Sequence, residues 1–296
     1  MVTSSANWPS IVQRDLSLVF LDQLHGFPSM LPRLYRFMKA TQGTEYDLLT
    51  TGFGLPKVFT DSIYYDQPQE GYKKFVQETQ YALGFIVTRQ LLRNDLYGVI
   101  RNRASDLANS FRLLRETAGA FPFVNATNAA FTVGDGNPLA YASHTSPVSA
   151  ITQSNTNSLA FSAPNLQANR LQMKKWLDDR GIPQTNIPDL ILAPMDLEET
   201  VYQVLKSMGQ LDTANNNRNY SEGRYDAVIW DNFLTSSSNW GLINSKLMKE
   251  RLVFREWEPT SFMRSGEFDT LSTKFAGYTS FGISTPEWRW INWSAA

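Results

Sequence analysis

Apolar side chains recur at helical spacing in the stretch that follows Asn94 and Asp95. They are three or four residues apart and so share one helical face; these positions are Leu96, Ile100, Ala104, Leu107, Phe111 and Leu114. Asn94 or Asp95 is suited to cap the first turn, and Gly119 and Pro122 are suited to end the last. The pattern predicts one long helix over residues 94–118.

The residues that precede this helix have a pattern typical of β-strands. β-branched and aromatic residues occur at 58–59 and 63–65, a polar turn follows at 66–71, and further rings and aliphatic residues occupy 72–87. This order predicts a long hairpin within residues 49–92. A two-stranded hairpin is marginal alone in water, so rings on both of its faces indicate a partner surface.

In the first 48 residues the apolar positions follow neither the helical nor the strand spacing over any long stretch. Isolated apolar residues alternate there with glycines and prolines. The exception is one short segment with helical spacing, whose apolar positions are Leu31, Leu34, Tyr35 and Met38. We expect the rest of residues 1–48 to be an extended arm that becomes ordered only on another surface.

The second half of the chain alternates helical and strand patterns. A helix is predicted from Ser162 to Asp179, a short buried strand bounded by prolines at 188–194, and a further helix that is capped by Asp196. The C-terminal part is aromatic and strand-like, and it ends with tryptophans at near-alternate positions. Together with the long helix, these elements predict an α+β fold.

Composition removes several classes of function. The chain has 296 residues, 42% of them hydrophobic, with a net charge of −1, which indicates a globular protein without the basic excess of a nucleic-acid-binding face. It has no cysteine and only two histidines, His25 and His144. Disulfides, thiolate metal sites and multi-histidine metal centres are therefore excluded.

The remaining candidates for chemistry are weak. His144 lies among hydroxyl residues, but adjacent residues seldom have triad geometry and no Gly-x-Ser-x-Gly motif is present. Residues 212–219 carry oxygen ligands but lack the glycine and distal glutamate of a calcium loop. We therefore expect a loop-stabilising His144, no enzyme activity, and no catalytic, cofactor or metal residue. With no signal peptide and no long apolar run, the expected compartment is the cytosol or something assembled there.

Several local segments, taken in order, resemble one family. They are YALGFIVTR (81–89), NDLYG (94–98), RASDLANS (103–110), DGNPL (135–139), SHT (143–145), LILAP (190–194), LEET (197–200) and NNN (215–217). The predicted parts of the chain also follow one another in the order found in that family: arm, ring-bearing hairpin, long helix, mixed domain, inserted α/β domain and returning strands. The chain resembles the major capsid protein of tailed bacteriophages with the Hong Kong ninety-seven fold, from about residue 49 to the C-terminus.

The resemblance implies a division of the chain into parts. These parts are an N-terminal arm (1–48), an extended loop that reaches a neighbouring subunit (49–92), a peripheral domain (93–187) with its spine helix at 94–118, an axial domain around the fivefold and sixfold axes (188–246), and peripheral return strands (247–296). Expected inter-subunit contacts are Tyr64, Tyr65, Tyr72, Lys73, Lys74 and Phe75. Expected axial-loop residues are Asn215, Asn216, Asn217, Arg218 and Asn219.

The implied function is self-assembly, as pentamers and hexamers, into the icosahedral shell around the double-stranded DNA of a tailed phage. The implied partners are a portal, a scaffold supplied as a separate protein because the chain is too short to carry its own, a decoration or cement protein, and packaged DNA in weak non-specific contact. Assembly is expected in the host bacterial cytoplasm, without a membrane. Two alternatives stay open: an encapsulin-type shell that holds protein cargo, and an unfamiliar hydrolase that uses His144.

Overall fold

The computed structural model describes residues 9–94, 98–209, 218–231 and 234–296, with side chains from residue 16 onward. The helices in these ranges are α1 (Pro9–His25), α2 (Leu31–Leu34), α3 (Arg89–Arg93), α4 (Val99–Val124), α5 (Ala163–Lys174), α6 (Glu198–Lys206) and α7 (Ser245–Arg251). The strands are β1 (Arg36–Lys39), β2 (Thr44–Thr50), β3 (Glu70–Gln77), β4 (Thr79–Thr88), β5 (His144–Thr145), β6 (Thr152–Gln153), β7 (Thr156–Asn157), β8 (Leu190–Ala193), β9 (Asp226–Ile229), β10 (Trp240–Ile243), β11 (Val253–Glu267), β12 (Ser272–Ser284) and β13 (Ile291–Ser294). The predicted α+β class is confirmed.

A four-stranded sheet has the order β1-β11-β12-β4. Its centre is the long antiparallel hairpin β11–β12, whose register runs from Val253 opposite Ser284 to Glu267 opposite Ser272. Helix α4 packs on this sheet, and a Cβ on Gly277 would lie 2.3 Å from the Phe111 ring. The helix approaches the sheet this closely because position 277 has no side chain.

A five-stranded sheet has the order β7-β13-β10-β8-β9. Every residue of β8, β10 and β13 is buried, as expected for strands covered on both faces. Strand β8 runs parallel to β9 and connects to it through α6. The largest hydrophobic cluster surrounds this sheet and contains Trp230, Trp240, Trp290 and Trp293.

The spine helix differs from the prediction at both ends. The predicted start at 94–96 includes residues outside the described ranges, and α4 begins after Gly98, which has a φ of 67°. The helix passes Gly119 and Pro122 and ends at Val124. Gly119 is a packing position, because a Cβ there would lie 2.1 Å from Leu31 Cδ2. Pro122 removes one backbone donor only near the C-terminal end, where helices tolerate irregular bonding.

The N-terminal region differs from an extended arm. Helix α1 packs against α4, and Leu31, Leu34 and Tyr35 belong to the main core. The predicted helical face ends at Leu34, and β1 then pairs in parallel with β11. Over so short a stretch, apolar residues three and four positions apart are compatible with one helix and also with a helix that is followed by a strand. The sequence pattern could therefore not distinguish these two structures.

The two strands of the hairpin are also formed by other segments than the predicted ones. Strand β2 pairs with β3, from Thr44 opposite Gln77 to Thr50 opposite Glu70. Residues 58–59 and 63–65 lie in irregular chain between those strands, because β-propensity alone does not supply a partner strand. Strand β4 leaves the hairpin and pairs with β12 in the four-stranded sheet.

Other predicted elements are confirmed with shifted ends. Ser162 caps α5 by accepting a hydrogen bond from the Asn165 amide, but the helix ends at Lys174 rather than Asp179. The predicted strand at 188–194 is confirmed as β8, which spans Leu190–Ala193. Strands β11 and β12 lie in the four-stranded sheet, whereas β13, also within the predicted return segment 247–296, lies in the five-stranded sheet.

Candidate subunit-contact site

Strands β2 and β3 form a separate two-stranded sheet. From here on we call residues 44–77, in place of the predicted 49–92, the extended loop, and residues 51–69 its tip. Its base is held by Arg255 of β11, a buried side chain that donates to Glu45 and to Asp47 of β2. Ser284 Oγ also donates to Asp47 Oδ2 at 2.5 Å. The backbone amides of Thr41 and Gln42, together with Arg255, hold the pKa of Glu45 below its usual value despite partial desolvation.

Two side chains of strand β3 bond to a later segment of the same chain. Tyr72 Oη donates to the Thr145 carbonyl at 2.8 Å, and Lys74 Nζ donates to Thr132 Oγ1 at 2.7 Å. Burial raises the pKa of Tyr72 to about 12, so the phenol stays a neutral donor. We call residues 131–146 the socket, because this segment receives both side chains.

A third attachment lies at the tip. Asp66 Oδ2 accepts the Gly54 amide at 2.7 Å and also pairs with Arg180. The second guanidinium nitrogen of Arg180 donates to the Gln67 carbonyl at 2.7 Å. The Gly54 amide first, and Arg180 with it, hold the pKa of Asp66 below its usual value. We call this set of contacts the tip latch.

Between these polar attachments the tip presents apolar side chains to solvent. Val58 is 89% exposed and Tyr65 is 83% exposed. The other exposed apolar residues of the tip are Phe53, Leu55, Phe59, Ile63 and Tyr64. Lys57 Nζ lies 3.8 Å from the centre of the Tyr64 ring. An exposed apolar patch of this kind is typical of a protein–protein contact.

The outer face of the β2–β3 ribbon extends the patch. Tyr46 and Phe75 are exposed with ring centres 6.2 Å apart, and Lys73 Nζ lies 4.8 Å from the Tyr46 ring. Of the predicted contact residues, Tyr64, Tyr65, Lys73 and Phe75 are therefore on the surface of the extended loop. Sequence reasoning missed Tyr46, although the alternation of residues 44–50 is a strand signal that could have found it.

Tyr72 and Lys74 have a different location from the other predicted contact residues. Tyr72 is only 4% exposed, and both side chains bond within their own subunit through the socket. The period of two along a strand explains this split, because Lys73 and Phe75 point to the opposite face of the ribbon from Tyr72 and Lys74. The structure thus assigns the two faces of β3 to two different surfaces.

A second exposed apolar patch lies at the turn between β11 and β12. Phe268 is 90% exposed, and Leu271 is also exposed with a φ of 50°. A left-handed backbone is unfavourable for leucine. The strand-like, aromatic pattern of the C-terminal part does not by itself reveal this turn.

The predicted axial-loop residues divide into two groups. Asn215, Asn216 and Asn217 lie outside the described residues. Arg218 is exposed and faces Glu222 at 3.7 Å. Asn219 is buried, and its Nδ2 donates to the Val204 and Ser207 carbonyls, so this side chain holds the C-terminal end of α6.

His144 lies in the interior rather than at an open surface. Nδ1 is 2.6 Å from Asp135 Oδ2, and Nε2 is 3.1 Å from Asn155 Oδ1. The ring stacks on Trp288 with a centre-to-centre distance of 4.5 Å. A histidine that acts as a general base needs a nitrogen within reach of the proton it removes. Both nitrogens here are engaged by internal partners, which is the arrangement of a structural histidine.

The described part of the chain contains no group of three or more histidine, aspartate or glutamate side chains placed to hold a metal ion. None of its helices has both the length and the apolar character needed to cross a bilayer.

Comparison with known proteins gives one family. The model of the family described as phage capsid protein matches residues 71–293, which is more than half of the chain. Among curated protein sequences there is no match.

Solved structures with a similar fold include several phage shells. The asymmetric unit of the bacteriophage PhiM1 mature capsid has a TM-score of 0.62 at 10% identity and covers 90% of this chain and 87% of that one. The procapsid of bacteriophage JBD30 has a TM-score of 0.57 at 11% identity, with 100% and 76% coverage. A virus-like particle from Pyrococcus furiosus has a TM-score of 0.54 at 10% identity, with 96% and 99% coverage. At such identities the likeness establishes a shared fold.

Proposed function

Because the chain belongs to the phage capsid protein family, we propose that it is the major head subunit of a tailed phage and builds the icosahedral shell around double-stranded DNA. The observation that carries the proposal is the exposed apolar tip of the extended loop. A single subunit cannot bury this surface, whereas repeated copies in a closed shell can.

In this proposal the extended loop contacts a second copy of the chain. Tyr64, Tyr65, Lys73 and Phe75 are offered to that copy, while Tyr72 and Lys74 fix the loop on its own subunit. The polar attachments support this division of roles, because they orient the loop without covering its apolar side chains.

The other parts of the chain take the roles that the family resemblance suggests. The four-stranded sheet with α4 forms the peripheral domain, and the inserted segment 188–246 forms the axial domain near the fivefold and sixfold axes. Residues 215–219 would then lie close to those axes. The buried Asn219 supports the loop from within, and Arg218 is available for contact.

The remaining partners follow from shell assembly. A portal, a separate scaffold protein and a decoration or cement protein would bind the shell, which would assemble in the host cytoplasm. Packaged DNA would make weak, non-specific contacts, since a net charge of −1 neither binds a polyanion tightly nor repels it strongly.

The second candidate is a nanocompartment that encloses protein cargo, because the fold is also similar to the virus-like particle. The phage capsid family match favours the DNA-filled shell. The hydrolase alternative is less supported, since His144 is buried with both ring nitrogens bonded internally.

Particle size is the direct test. The chain, expressed with and without the neighbouring head-assembly genes of its source, should elute at megadalton size and form polyhedral particles under the electron microscope. Particles from infected cells should contain nuclease-protected DNA. A chain that stays a small oligomer in both settings would contradict the proposal, and particles filled with protein but no DNA would support the nanocompartment.

The role of the tip can be tested separately. The triple variant V58S/F59S/Y65S should stay folded but lose shell closure, because it removes apolar surface that neighbours bury. A matched control is the single variant Leu171→Ser, which changes an exposed apolar side chain of α5 away from the tip and from the proposed axial domain. Normal shells from the triple variant would contradict the contact assignment.

A further inference from the structure

Two arginine side chains meet at one exposed tyrosine ring beside the five-stranded sheet. Arg224 Cζ lies 3.8 Å from the centre of the Tyr220 ring, and Arg170 Cζ lies 5.5 Å from it. Arg170 Nη1 also donates to Tyr220 Oη at 2.9 Å. Because the face of an aromatic ring attracts cations, the tyrosine brings two positive charges together. We call Arg170, Tyr220 and Arg224 the cationic site.

The cationic site has no neutralising partner within the described ranges. The carboxylate of Glu222 is close in sequence, but it faces Arg218 at 3.7 Å. Neither Arg170 nor Arg224 forms an ion pair with a described residue. Two like charges at one ring repel each other, and an anion between them relieves the repulsion by accepting hydrogen bonds from both guanidinium groups. The site is therefore suited to bind a carboxylate or a phosphate.

Both chain segments that carry the cationic site are anchored. On one side, the Gly223 amide donates to the Leu205 carbonyl at 3.2 Å, which ties the loop before β9 to the C-terminal part of α6. On the other side, Asn169 precedes Arg170 in α5 and is fully buried. Its Nδ2 donates to Ser294 Oγ of β13 at 2.9 Å. The site is thus preformed in the single subunit.

Negative charge is concentrated at the other end of α6. Asp196, Glu198 and Glu199 lie in its first turn or just before it, and all three are exposed. The positive end of the helix dipole stabilises carboxylates at this position. None of the three has a cationic partner among the residues that the structure describes. We call these three residues the acidic end.

The topology separates the acidic end from the cationic site. Strands β8 and β9 run parallel, so α6 returns from the carboxyl end of β8 to the amino end of β9. The acidic end follows β8, whereas Tyr220 and Arg224 come just before β9. The nine residues of α6 rise about 13 Å between them. The two charged surfaces therefore lie at opposite ends of the sheet and do not pair within one subunit.

We propose that the cationic site of one copy binds the acidic end of the next copy around the fivefold and sixfold axes. These axes are those of the proposed function, on which the proposal rests, and residues 188–246 surround them there. A ring needs a heterologous contact, in which two different surfaces of the same chain meet. The chain offers such surfaces, opposite in charge and at opposite ends of one helix. Each copy in a closed ring then has both ends neutralised.

The contact orders the copies more than it strengthens the ring. An exposed ion pair adds little free energy, whereas like charges that face each other across an interface are strongly unfavourable. The two surfaces therefore favour head-to-tail rings and disfavour contacts between identical ends. Packaged DNA is a poorer occupant of the cationic site, because tight binding to a duplex neutralises many phosphates at once.

Charge reversal tests the pairing. R170E/R224E gives the chain two negative ends, and E198R/E199R gives it two positive ends; we call them the single-end variants. Each one alone should form about tenfold fewer closed rings than the wild type, because identical ends then face each other. Native mass spectrometry counts the rings. A chain with all four changes should recover rings of both sizes, since its ends are again opposite in charge.

A mixture of the two single-end variants gives a sharper result. Copies with two negative ends and copies with two positive ends can alternate around a ring, which closes with six copies but not with five. The mixture should therefore form six-membered rings and few five-membered rings. Such a rescue also shows that both variants are folded, because an unfolded chain cannot complete a ring.

The matched control is R101E/E250R, which reverses two exposed charges outside residues 188–246. It changes the same residue types as the single-end variants but leaves both charged surfaces intact. This variant should form five-membered and six-membered rings as the wild type does.

Cross-linking gives an independent answer with the cationic site and the acidic end unchanged. The chain has no cysteine, so M195C/R218C carries one thiol beside the acidic end and one beside the cationic site. Both positions are exposed. In assembled shells a short bismaleimide should link successive copies into covalent multimers of up to five and six. Either single-cysteine variant should give no such ladder. Where the charge variants fail to fold, the cross-link decides.

Three results would overturn the pairing. They are normal rings from each single-end variant alone, assembled M195C/R218C that cannot be cross-linked, and normal rings of R170E/R224E that package less DNA. The last result would assign the arginines to DNA phosphates. A wild-type chain that forms no shell contradicts the proposed function instead, so the two failures are distinguishable.

Discussion

The five-stranded sheet and the extended loop are both built from short strands, yet they are held in opposite ways. In the sheet, β8, β10 and β13 are buried along their whole length, and tryptophans fill the space around them. In the loop, β2 and β3 form a two-stranded sheet with each other. Their position is set by Arg255 at the base, by the socket, and by the tip latch.

The difference shows how one chain can contain a rigid part and an adaptable part. Dense packing gives the sheet its stability and buries the apolar side chains of β8, β10 and β13. A few polar attachments orient the loop, and its apolar side chains stay free. We therefore expect the sheet to open only on global unfolding, and the loop to open locally at lower free energy.

The largest expected effect is a truncation in the sheet. Trp240→Ala removes a fully buried ring and its hydrogen bond from Nε1 to the Leu159 carbonyl, and should lower the free energy of unfolding by about 3–5 kcal/mol. Urea denaturation measures this change. Tyr65→Ala, at an exposed position of the tip of the extended loop, is the control and should change it by less than about 0.5 kcal/mol. Equal losses in the two variants would remove the contrast between the regions.

The next effect concerns the base of the loop. Arg255→Met leaves Glu45 and Asp47 without their cation and should cost about 3 kcal/mol, as for other broken buried pairs. The triple variant R255M/E45Q/D47N should recover part of this loss, because no carboxylate is then left unpaired. Arg33→Met breaks an exposed pair with Asp226 and should cost less than about 1 kcal/mol. A neutral Arg255→Met would mean that other contacts hold the base.

A third variant tests the packing of α4 on the four-stranded sheet. Gly277→Ala places a methyl group against the Phe111 ring and should cost about 2 kcal/mol through overpacking. Gly43→Ala, where no atom lies within 4 Å of the added carbon, should be neutral or slightly stabilising. Thermal unfolding of both variants checks the difference, and an unchanged melting temperature for Gly277→Ala would show that the helix can shift.

The smallest effect on global stability is expected at the tip latch. Arg180→Gln removes the pairing with Asp66 and Gln67, so exchange in residues 51–69 should accelerate while the global unfolding transition stays in place. The lowered pKa of Asp66 gives the sign of the pH dependence. Acidification through that value should release the latch in the wild type and have little effect in Arg180→Gln. Arg101→Gln, at an exposed position of α4, is the control.

The parts of the fold that could be predicted from the sequence are those that depend on the spacing of apolar residues and on local conformational propensity. The spine helix, α5, β8 and the α+β class follow from spacing, from the Ser162 cap and from a proline-bounded apolar run. The family resemblance rested on the order of weak motifs, and the family match over residues 71–293 confirms it.

What the sequence could not predict depends on contacts between distant residues. Nothing near Arg255 indicates that its partners are Glu45 and Asp47, some two hundred positions earlier in the chain. Gly119 has the signature of a helix end, and only its closeness to Leu31 explains why the helix continues. His144 is one polar residue in a polar segment, and its pairing with Asp135 appears only once both are buried.

The position of β13 has a consequence for the synthesis of the chain. This strand lies between β7 and β10 within the five-stranded sheet, although α7, β11 and β12 separate it from β10 in sequence. During translation, β8, β9 and β10 therefore leave the ribosome long before the strand that completes their sheet, and the edge of β10 waits unpaired. Closure of the sheet is a late, long-range event. A nascent chain stalled before residue 291 should consequently expose that edge to chaperones, and emergence of β13 should end the exposure.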